Sequence, residues 1–329
     1  MSLTSGELTI YSAGWTVLGA VKASGLDASY IRSLGPEYTA ARTAQYVAIN
    51  DEKKGLVMAM ADMAILTNHS FPTYWRSVVA ASRPKWLVVD ANWKATDIQS
   101  WIQTGLEHGA KIAFEPVSVA KSKRLFTAPH NGQHILGKFP NNNIELATPN
   151  QYELKAMYDA ALEHDYVGKT GLSEVDLADV SSLLKDKVED SADVLKQIVS
   201  LLPFIPNLVT KLGEQGLILA SCLTSSDPRL QAPEEQAFIR TLQDGTQHIR
   251  VYLRHFPAAR VVKEVISVNG VGDTFLGVLV AGLAQGGTLG PDLLDVAQQA
   301  AVLTLESPKS VSDEVEGLQE DMARLVRKQ

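Results

Sequence analysis

The sequence has one cysteine, no excess of positive charge and no long apolar run, and each of these absences excludes a class of protein. Cys222 has no partner for an internal disulfide, which fits a reducing compartment. The net charge of −7 and the isoelectric point near 5.5 argue against a nucleic-acid-binding surface. Such a surface needs basic residues to replace the counterions of the phosphates.

Nothing in the sequence is typical of a membrane-spanning or secreted protein. The apolar run from Leu276 to Ala284 is too short to span a bilayer. The segment from Met1 to Glu7 has neither the basic nor the apolar region of a signal peptide. A hydrophobic content of 45% with 20% charged residues is ordinary for a globular chain. We therefore expect a soluble cytoplasmic protein with no membrane partner.

Short β-branched runs alternate with helical patterns along most of the chain, which predicts an α/β fold around a parallel sheet covered on both faces. The predicted strands are Leu8–Tyr11, Trp86–Val89, Lys111–Phe114, Ile144–Ala147, Asn207–Lys211, Leu217–Ala220, His248–Arg254 and Val261–Val268. The predicted helices are Phe71–Ser82, Thr96–His108, Gln151–Glu163, Val175–Leu184, Ala192–Leu202, an apolar helix after the glycine turn at residues 269–273, and Asp292–Leu305.

Two extended runs near the N-terminus fall outside this alternation. The runs Arg42–Asn50 and Leu56–Asp62 are separated by a turn at Asp51–Gly55, which predicts a hairpin. No long linker or internal repeat divides the chain. We predict one domain over residues 1–329 with a small β excursion at residues 42–63.

A glycine turn joins the strand predicted at Val261–Val268 to the apolar helix. Gly270 and Gly272 let the backbone approach an anion closely, and the start of a helix offers free N–H groups. Asp273 falls at that helix start, where a carboxylate beside a bound phosphate would serve to accept a proton. The alternative is a plain turn with Asp273 as the N-cap. The local pattern leaves both open.

A second motif opens a helix directly after a strand. Asn150 and Glu153 lie three residues apart and share the first helical turn. Their oxygens suit a Mg²⁺ ion that keeps most of its waters and bridges phosphates. The same pair also makes a capping box, which needs no metal. Taken alone, this motif favours the cap.

Two further turns lie at strand ends. Val209–Gly216 is a strand running into a glycine turn, which by itself is an ordinary hairpin. In the segment Phe114–Lys121, Pro116 restricts Glu115 to an extended conformation. Lys121 could contact a phosphate as a point charge or remain solvated.

Taken together, these motifs resemble a known family. The run Asn269–Asp273, followed by Thr274, Phe275 and Gly277, resembles the C-terminal signature of the PfkB (ribokinase-like) sugar and nucleoside kinases. Asn150 and Glu153 match the Asn-x-x-Glu motif of that family. The Val209–Gly216 turn is similar to the segment beside its nucleotide, with an extra Lys211. The resemblance implies a three-layer αβα sandwich with a mostly parallel sheet and a small β lid.

Several segments narrow the resemblance to the pseudouridine kinases within PfkB. These segments are Ala61–Met63, Val88–Asn92, Glu115–Lys121 and Leu303–Ser307. The resemblance then implies ATP-dependent phosphorylation of the 5′-hydroxyl of a ribosyl compound, with pseudouridine as the first candidate. A kinase for ribose or adenosine is one alternative. A catalytically impaired protein that serves as a binding partner is another.

The resemblance also assigns roles to individual residues. Asp273 would be the catalytic base; Gly270, Val271 and Gly272 the anion hole; Asn150 and Glu153 the Mg²⁺ site, through water; Thr210, Lys211, Gly213, Gly216 and Ser307 the nucleotide site; and Thr43, Tyr46, Asp62, Asn92 and Lys121 the substrate site and lid. ATP and Mg²⁺ are the implied cofactors, and the resemblance also allows a monovalent cation such as K⁺.

The N-terminal part of the family pattern is not found. Members begin with a strand that carries a substrate-binding Asp, followed by a Gly-Gly-x-x-x-Asn segment, and neither precedes Gly14. Ser12–Gly19 resembles a later family segment, with Thr16 where an acid is expected. A missing strand would expose a sheet edge and favour a homodimer. Either the sequence is truncated here or part of the substrate pocket is lost. We therefore expect intact phosphate machinery and leave substrate recognition open.

Overall fold

The computed structural model describes residues 5–35, 37–38, 41–51, 56–127, 136–167, 177–231, 237–244 and 247–327. Within it the chain forms two compact units. The first comprises Met1–Ser82 with Asn92–Lys94, and the second Arg83–Ala91 with Ala95–Gln329. The interpretation of residues 1–329 as one kinase domain remains a prediction.

The first unit holds a helix, a two-stranded ribbon and two further helices. Its elements are α1 (Ser5–Ala23), β1 (Gln45–Asn50), β2 (Leu56–Asp62), α2 (Ala64–Asn68) and α3 (Pro72–Ser82). β1 and β2 pair antiparallel, which confirms the predicted hairpin. Most of its predicted turn, residues 52–55, lies outside the described residues.

The prediction of a strand at Leu8–Tyr11 is wrong, because these residues lie inside α1. The run Leu-Thr-Ile-Tyr is β-prone by composition. No proline follows it before Ala23, and the helix continues through both glycines to that residue.

The second unit contains the main sheet and its covering helices. Its strands are β3 (Trp86–Asp90), β4 (Lys111–Glu115), β5 (Leu146–Ala147), β6 (Asn207–Lys211), β7 (Leu217–Leu223), β8 (Ala237–Asp244) and β9 (Gln247–Phe256). Its helices are α4 (Ala95–Glu107), α5 (Val119–Ser122), α6 (Gln151–Glu163), α7 (Ala178–Leu184), α8 (Ser191–Leu201), α9 (Val271–Ala284), α10 (Pro291–Leu305) and α11 (Gln319–Arg327).

The seven strands pair in the order β3-β4-β5-β6-β7-β9-β8. β3 to β6 are parallel to one another. β7 and β8 run opposite to the other strands, since the pairings β6–β7, β7–β9 and β9–β8 are antiparallel. The sheet is therefore mixed but mostly parallel, which confirms the predicted fold class.

The sheet is covered on both faces. Leu208 and Val209, neighbours on β6 whose side chains point to opposite faces, are both completely buried. On one face an apolar cluster joins β6, β7 and β9 to α9, α10 and α11. α6 packs against β6 and against α8. Cys222 lies in β7, buried and free, and burial raises its pKa to about 12.

The prediction of a strand at Val261–Val268 is also wrong. This segment has no regular structure, and the N–H groups of Ile266 and Ser267 both donate to the carbonyl of Leu305, at 2.8 and 3.2 Å. These N–H groups bind the last residue of α10 and do not pair with a neighbouring strand. The sequence patterns also did not predict α2, β8 or α11.

No described helix combines the length and the apolar character needed to cross a bilayer.

Candidate active site

The start of α9 is shaped by Gly270, the N-cap residue. Gly270 adopts a left-handed conformation with φ of 76°, which favours glycine. A Cβ atom there would lie 1.9 Å from the carbonyl oxygen of Ser310, so no other residue fits without a shift. The carbonyl of Gly270 accepts the first helical hydrogen bond, from Thr274 N–H at 2.8 Å.

This geometry leaves backbone donors free. The N–H groups of Val271, Gly272 and Asp273 donate to no acceptor among the described residues. Free amides at the positive end of a helix dipole form an anion-binding site. The sequence therefore folds here into the local geometry that an anion hole requires.

Asp273 lies in the first turn of this helix and is exposed to solvent. Gly270 occupies the N-cap position, and no side chain caps the helix. The alternative interpretation of Asp273 as the N-cap is therefore wrong. The carboxylate stays available to a molecule bound at the free amides.

Lys211 brings a positive charge to the same place. It ends β6, where its N–H donates to the carbonyl of Pro149 at 2.8 Å. Its Nζ atom lies 3.2 Å from the point that a Cβ on Gly272 would occupy. The ammonium group thus lies against the backbone of the first turn of α9, where an anion would bind.

Two more polar residues lie on the face of the sheet that carries Lys211. Glu115 ends β4 and Thr148 follows β5, and both are buried. Each of Glu115, Thr148 and Lys211 follows a buried apolar residue by two positions. These apolar residues, Ala113, Leu146 and Val209, pack in the cluster beneath α9 and α10. Side chains two positions apart in an extended strand share a face. Glu115, Thr148 and Lys211 therefore form a polar row at the carboxyl ends of three strands.

The carboxylate of Glu115 is held from both sides. Its Oε1 accepts from Val117 N–H at 3.3 Å and its Oε2 from the Thr148 hydroxyl at 3.1 Å. Burial raises the pKa of Glu115, the positive charge of Lys211 lowers it, and the Glu153 carboxylate raises it. The net pKa lies above the ordinary value because burial is the largest cause.

Asn150 and Glu153 form a complete capping box at the start of α6. The Asn150 side chain accepts from the N–H groups of Tyr152 and Glu153, each at 2.9 Å, and Glu153 Oε2 accepts from Asn150 N–H at 2.9 Å. Glu153 Oε1 makes no hydrogen bond to the described part of the chain. The cap thus occupies the Asn150 amide oxygen and one carboxylate oxygen of Glu153, and it leaves the other carboxylate oxygen without a hydrogen bond to the described residues.

The residues predicted to border a nucleotide occupy different settings. Thr210 is completely buried, and its hydroxyl has no hydrogen-bond partner among the described residues. Gly213 and Gly216 both have positive φ, and a Cβ on Gly216 would lie 2.0 Å from the carbonyl oxygen of Phe256. Ser307 is buried, and its hydroxyl accepts from Lys309 N–H at 3.1 Å. Their nucleotide contacts remain predictions.

The predicted substrate and lid residues divide between the two units. Thr43, Tyr46, Asp62 and Asn92 belong to the first unit. There Tyr46 is 51% exposed, and Asp62 accepts from Ala64 N–H at 3.2 Å. Their roles in the site stay predictions.

Lys121 belongs to the second unit and lies half-buried on α5. Burial lowers the pKa of its ammonium group, as does the charge of Arg124, while Asp90 raises it. Its contact with a substrate is also a prediction.

Two members of the polar row were not predicted as site residues. In the sequence, Glu115 was visible only as part of the segment Phe114–Lys121, and Thr148 only as the residue that follows the predicted strand Ile144–Ala147. The signal that could have found them is the placement of each polar side chain at the carboxyl end of a parallel strand, where such folds bind ligands.

The fold is that of the ribokinase-like kinases. It is similar to the structure of ribokinase from Giardia lamblia with a TM-score of 0.54 at 14% identity, covering 96% of this chain and 79% of that one. The family profile described as pfkB family carbohydrate kinase matches residues 118–316. The chain belongs to this family.

Two curated relatives carry pseudouridine in their names. The chain is 27% identical over 287 residues to the pseudouridine-metabolizing bifunctional protein of Schizosaccharomyces pombe, covering 83% of this chain and 35% of that protein. It is 24% identical over 242 residues to the pseudouridine kinase of Arabidopsis thaliana, covering 67% of this chain and 55% of that protein. The chain thus spans about a third and about half of the lengths of these relatives.

Proposed function

We propose that the chain transfers the terminal phosphoryl group of ATP to the 5′-hydroxyl of a ribosyl compound. The observation that carries this proposal is the first turn of α9. It holds three unpaired backbone amides and the exposed Asp273, and the Lys211 ammonium group lies against its backbone. Amides and ammonium suit a phosphoryl group that gains charge on its outer oxygens. The carboxylate suits the proton of an attacking hydroxyl.

The chemistry then assigns one task to each group. Asp273 takes the proton of the acceptor hydroxyl while the oxygen of that hydroxyl bonds to the γ-phosphorus of ATP. The bond from that phosphorus to the β,γ-bridging oxygen breaks, and ADP leaves with the electron pair. The amides of Val271, Gly272 and Asp273 hold the charge on the transferred group.

Mg²⁺ is the implied metal, and it neutralises the β- and γ-phosphates when bound. Glu153 fits an indirect role, because its Oε1 is free to accept from a water of the metal while its Oε2 holds the cap. Asn150 supports this arrangement by fixing the first turn of α6. The described residues include no group of three His, Cys, Asp or Glu side chains placed to hold a metal.

Pseudouridine is the first acceptor to test, because two relatives bear it in their names. Ribose and adenosine are the competing acceptors within the same reaction. The β1–β2 ribbon as a lid, a homodimer, a K⁺ requirement and a cytoplasmic location are further parts of the proposal.

The test compares Asp273→Asn with a matched control. Asp292→Asn changes an exposed acid in the first turn of α10, a helix that also begins after a glycine N-cap. Wild type and both variants are incubated with ATP, Mg²⁺ and a panel of pseudouridine, uridine, adenosine and ribose. Phosphorylated products are separated by chromatography and ADP is measured in parallel.

We expect Asp273→Asn to lower kcat by roughly 10²–10⁴-fold, the usual contribution of a general base, with ATP affinity retained. Asp292→Asn should match wild type. Absence of product from wild type with every acceptor would refute the proposed function. Full activity of Asp273→Asn would refute the role of Asp273 alone.

A further inference from the structure

Glu115 is a buried acid that the proposed reaction does not use. It is 7% exposed and lies at the end of β4. A buried carboxylate is unfavourable unless it is paired or hydrogen-bonded. It lies at the carboxyl end of a parallel strand, where folds of this kind bind ligands, and this position is consistent with a role in binding.

The backbone after Glu115 adopts a rare conformation that directs an N–H group at its carboxylate. Val117 has φ of 65°, in the left-handed region that β-branched residues avoid. Ser118 N–H donates to the carbonyl of Pro116 at 2.7 Å, which closes a γ-turn of the strained form around Val117. In this turn Val117 N–H reaches Glu115 Oε1. Strained backbone of this kind clusters at active sites and ligand clamps.

Lys211 carries the positive charge that acts on Glu115, although no ion pair within 4 Å joins the two side chains. The two residues lie on the same face of the sheet, and the Lys211 ammonium group lowers the pKa of Glu115 against the larger effect of burial. That ammonium group also lies 3.2 Å from the position of a Cβ on Gly272. A flexible lysine side chain stays there only if something attracts it, because fixing it loses rotamer entropy.

We propose that Glu115 is a positioning residue that holds the Lys211 ammonium group beneath the first turn of α9. The ammonium group and the free amides of Val271, Gly272 and Asp273 then act as one site for the terminal phosphate of a nucleoside triphosphate. This inference rests on the proposed function, since it concerns the same anion hole. Thr148 supports this arrangement, because its hydroxyl donates to the second oxygen of the Glu115 carboxylate.

The test uses Glu115→Gln, Lys211→Met and the double variant. Glutamine removes the charge and nearly keeps the shape: its amide oxygen can accept from Val117 N–H, and its amide NH₂ can donate to the Thr148 hydroxyl oxygen. The probes are the non-hydrolysable β,γ-imido analogue of ATP and AMP, titrated calorimetrically with Mg²⁺ and again with EDTA. Lys155→Met and Glu163→Gln, both at exposed positions of α6, are the matched controls.

We expect Lys211→Met to weaken the triphosphate analogue by roughly 10–100-fold, the range for a lost hydrogen bond to a charged group. Glu115→Gln should weaken it by about 10-fold, and AMP affinity should not change in either variant. If Glu115 acts through Lys211, the double variant binds no more weakly than Lys211→Met. The controls should bind as wild type does.

Three results would overturn the inference. Additive losses in the double variant would mean that Glu115 supports the fold independently of Lys211. A loss seen with Mg²⁺ and absent with EDTA would assign Glu115 to the metal. Equal weakening of AMP would place Lys211 away from the terminal phosphate.

The inference and the proposed function fail in different ways. A wild type that binds the analogue but phosphorylates no acceptor refutes the reaction and leaves the binding test intact. A wild type that phosphorylates an acceptor while Glu115→Gln binds the analogue normally refutes only the inference. A wild type that does not bind the analogue refutes both.

Discussion

At the scale of single residues, two backbone positions carry unusual conformations for different reasons. Gly270 has positive φ at no steric cost, and its missing side chain makes room for Ser310. Val117 has positive φ although it is β-branched, and the γ-turn around it orients the N–H that holds Glu115. The positive φ of Gly270 is expected for glycine, whereas the positive φ of Val117 is unfavourable for a β-branched residue.

Val117→Gly should therefore stabilise the protein. Removing the β-branched side chain releases strain on the order of 1–3 kcal/mol, while added backbone freedom of the unfolded chain costs about 0.5–1 kcal/mol. We expect a net gain of about 1 kcal/mol in the free energy of unfolding, measured by urea denaturation. Val119→Gly, an exposed position on the following helix, serves as the control and should destabilise. A loss of stability in Val117→Gly would show that the turn is relaxed with valine.

At the scale of elements, the capping box of α6 joins the fold to the proposed chemistry. The competing interpretations of Asn150 and Glu153, as a helix cap and as a magnesium motif, are compatible in the structure. One carboxylate oxygen of Glu153 makes the cap and the other makes no hydrogen bond to the described chain. A single element can therefore serve both purposes, and mutation can separate them.

Glu153→Gln should preserve the cap and impair the metal response. Glutamine also closes a capping box, so the free energy of unfolding should change by less than about 0.5 kcal/mol. Loss of the carboxylate should raise the Mg²⁺ concentration for half-maximal activity by roughly 10–100-fold, as for other outer-shell ligands.

The contrasting variant is Asn150→Ala, which removes the cap. It should lower the free energy of unfolding by about 1 kcal/mol in the same urea titration. An unchanged Mg²⁺ dependence in Glu153→Gln would limit the motif to capping.

The elements also show how far a sequence can be interpreted without coordinates. The strand-turn-helix order around Asn150 was predictable, because local spacing and capping residues decide it. The segment 261–268 was mispredicted as a strand, since its β-branched composition is local while its hydrogen bonds go to the distant Leu305. The approach of Lys211 to Gly272 joins residues far apart in sequence. It follows from sheet order, which no local pattern contains.

At the scale of the whole molecule, the two units differ in how much apolar surface they bury. In the described part of the first unit, only Trp75 and Val79 are buried apolar side chains. The β1–β2 ribbon exposes large apolar side chains on both strands: Tyr46, Val47, Ile49, Val57, Met58 and Met60, each between 46% and 67% exposed. In the second unit, β6 and β7 are buried along most of their length.

Hydrogen exchange should separate these regions clearly. A two-stranded ribbon without a buried face is marginally stable, so its amides should exchange through frequent local opening. Amides of β6 and β7 should exchange only on global unfolding, because both strands are paired on two sides in the centre of the sheet. We expect mass spectrometry of peptides from residues 45–62 to show deuterium uptake within seconds. Peptides from residues 207–223 should remain protected for hours.

The dependence of this exchange on protein concentration tests the predicted homodimer. If a second copy covers the ribbon, protection of residues 45–62 should rise with concentration and the sedimentation coefficient should rise with it. Protection of the ribbon equal to that of β6 and β7 at every concentration, in a monomer by sedimentation, would contradict the prediction that it opens easily. Rapid exchange at every concentration would leave the ribbon as an open element in the free protein and would refute the dimer through this surface.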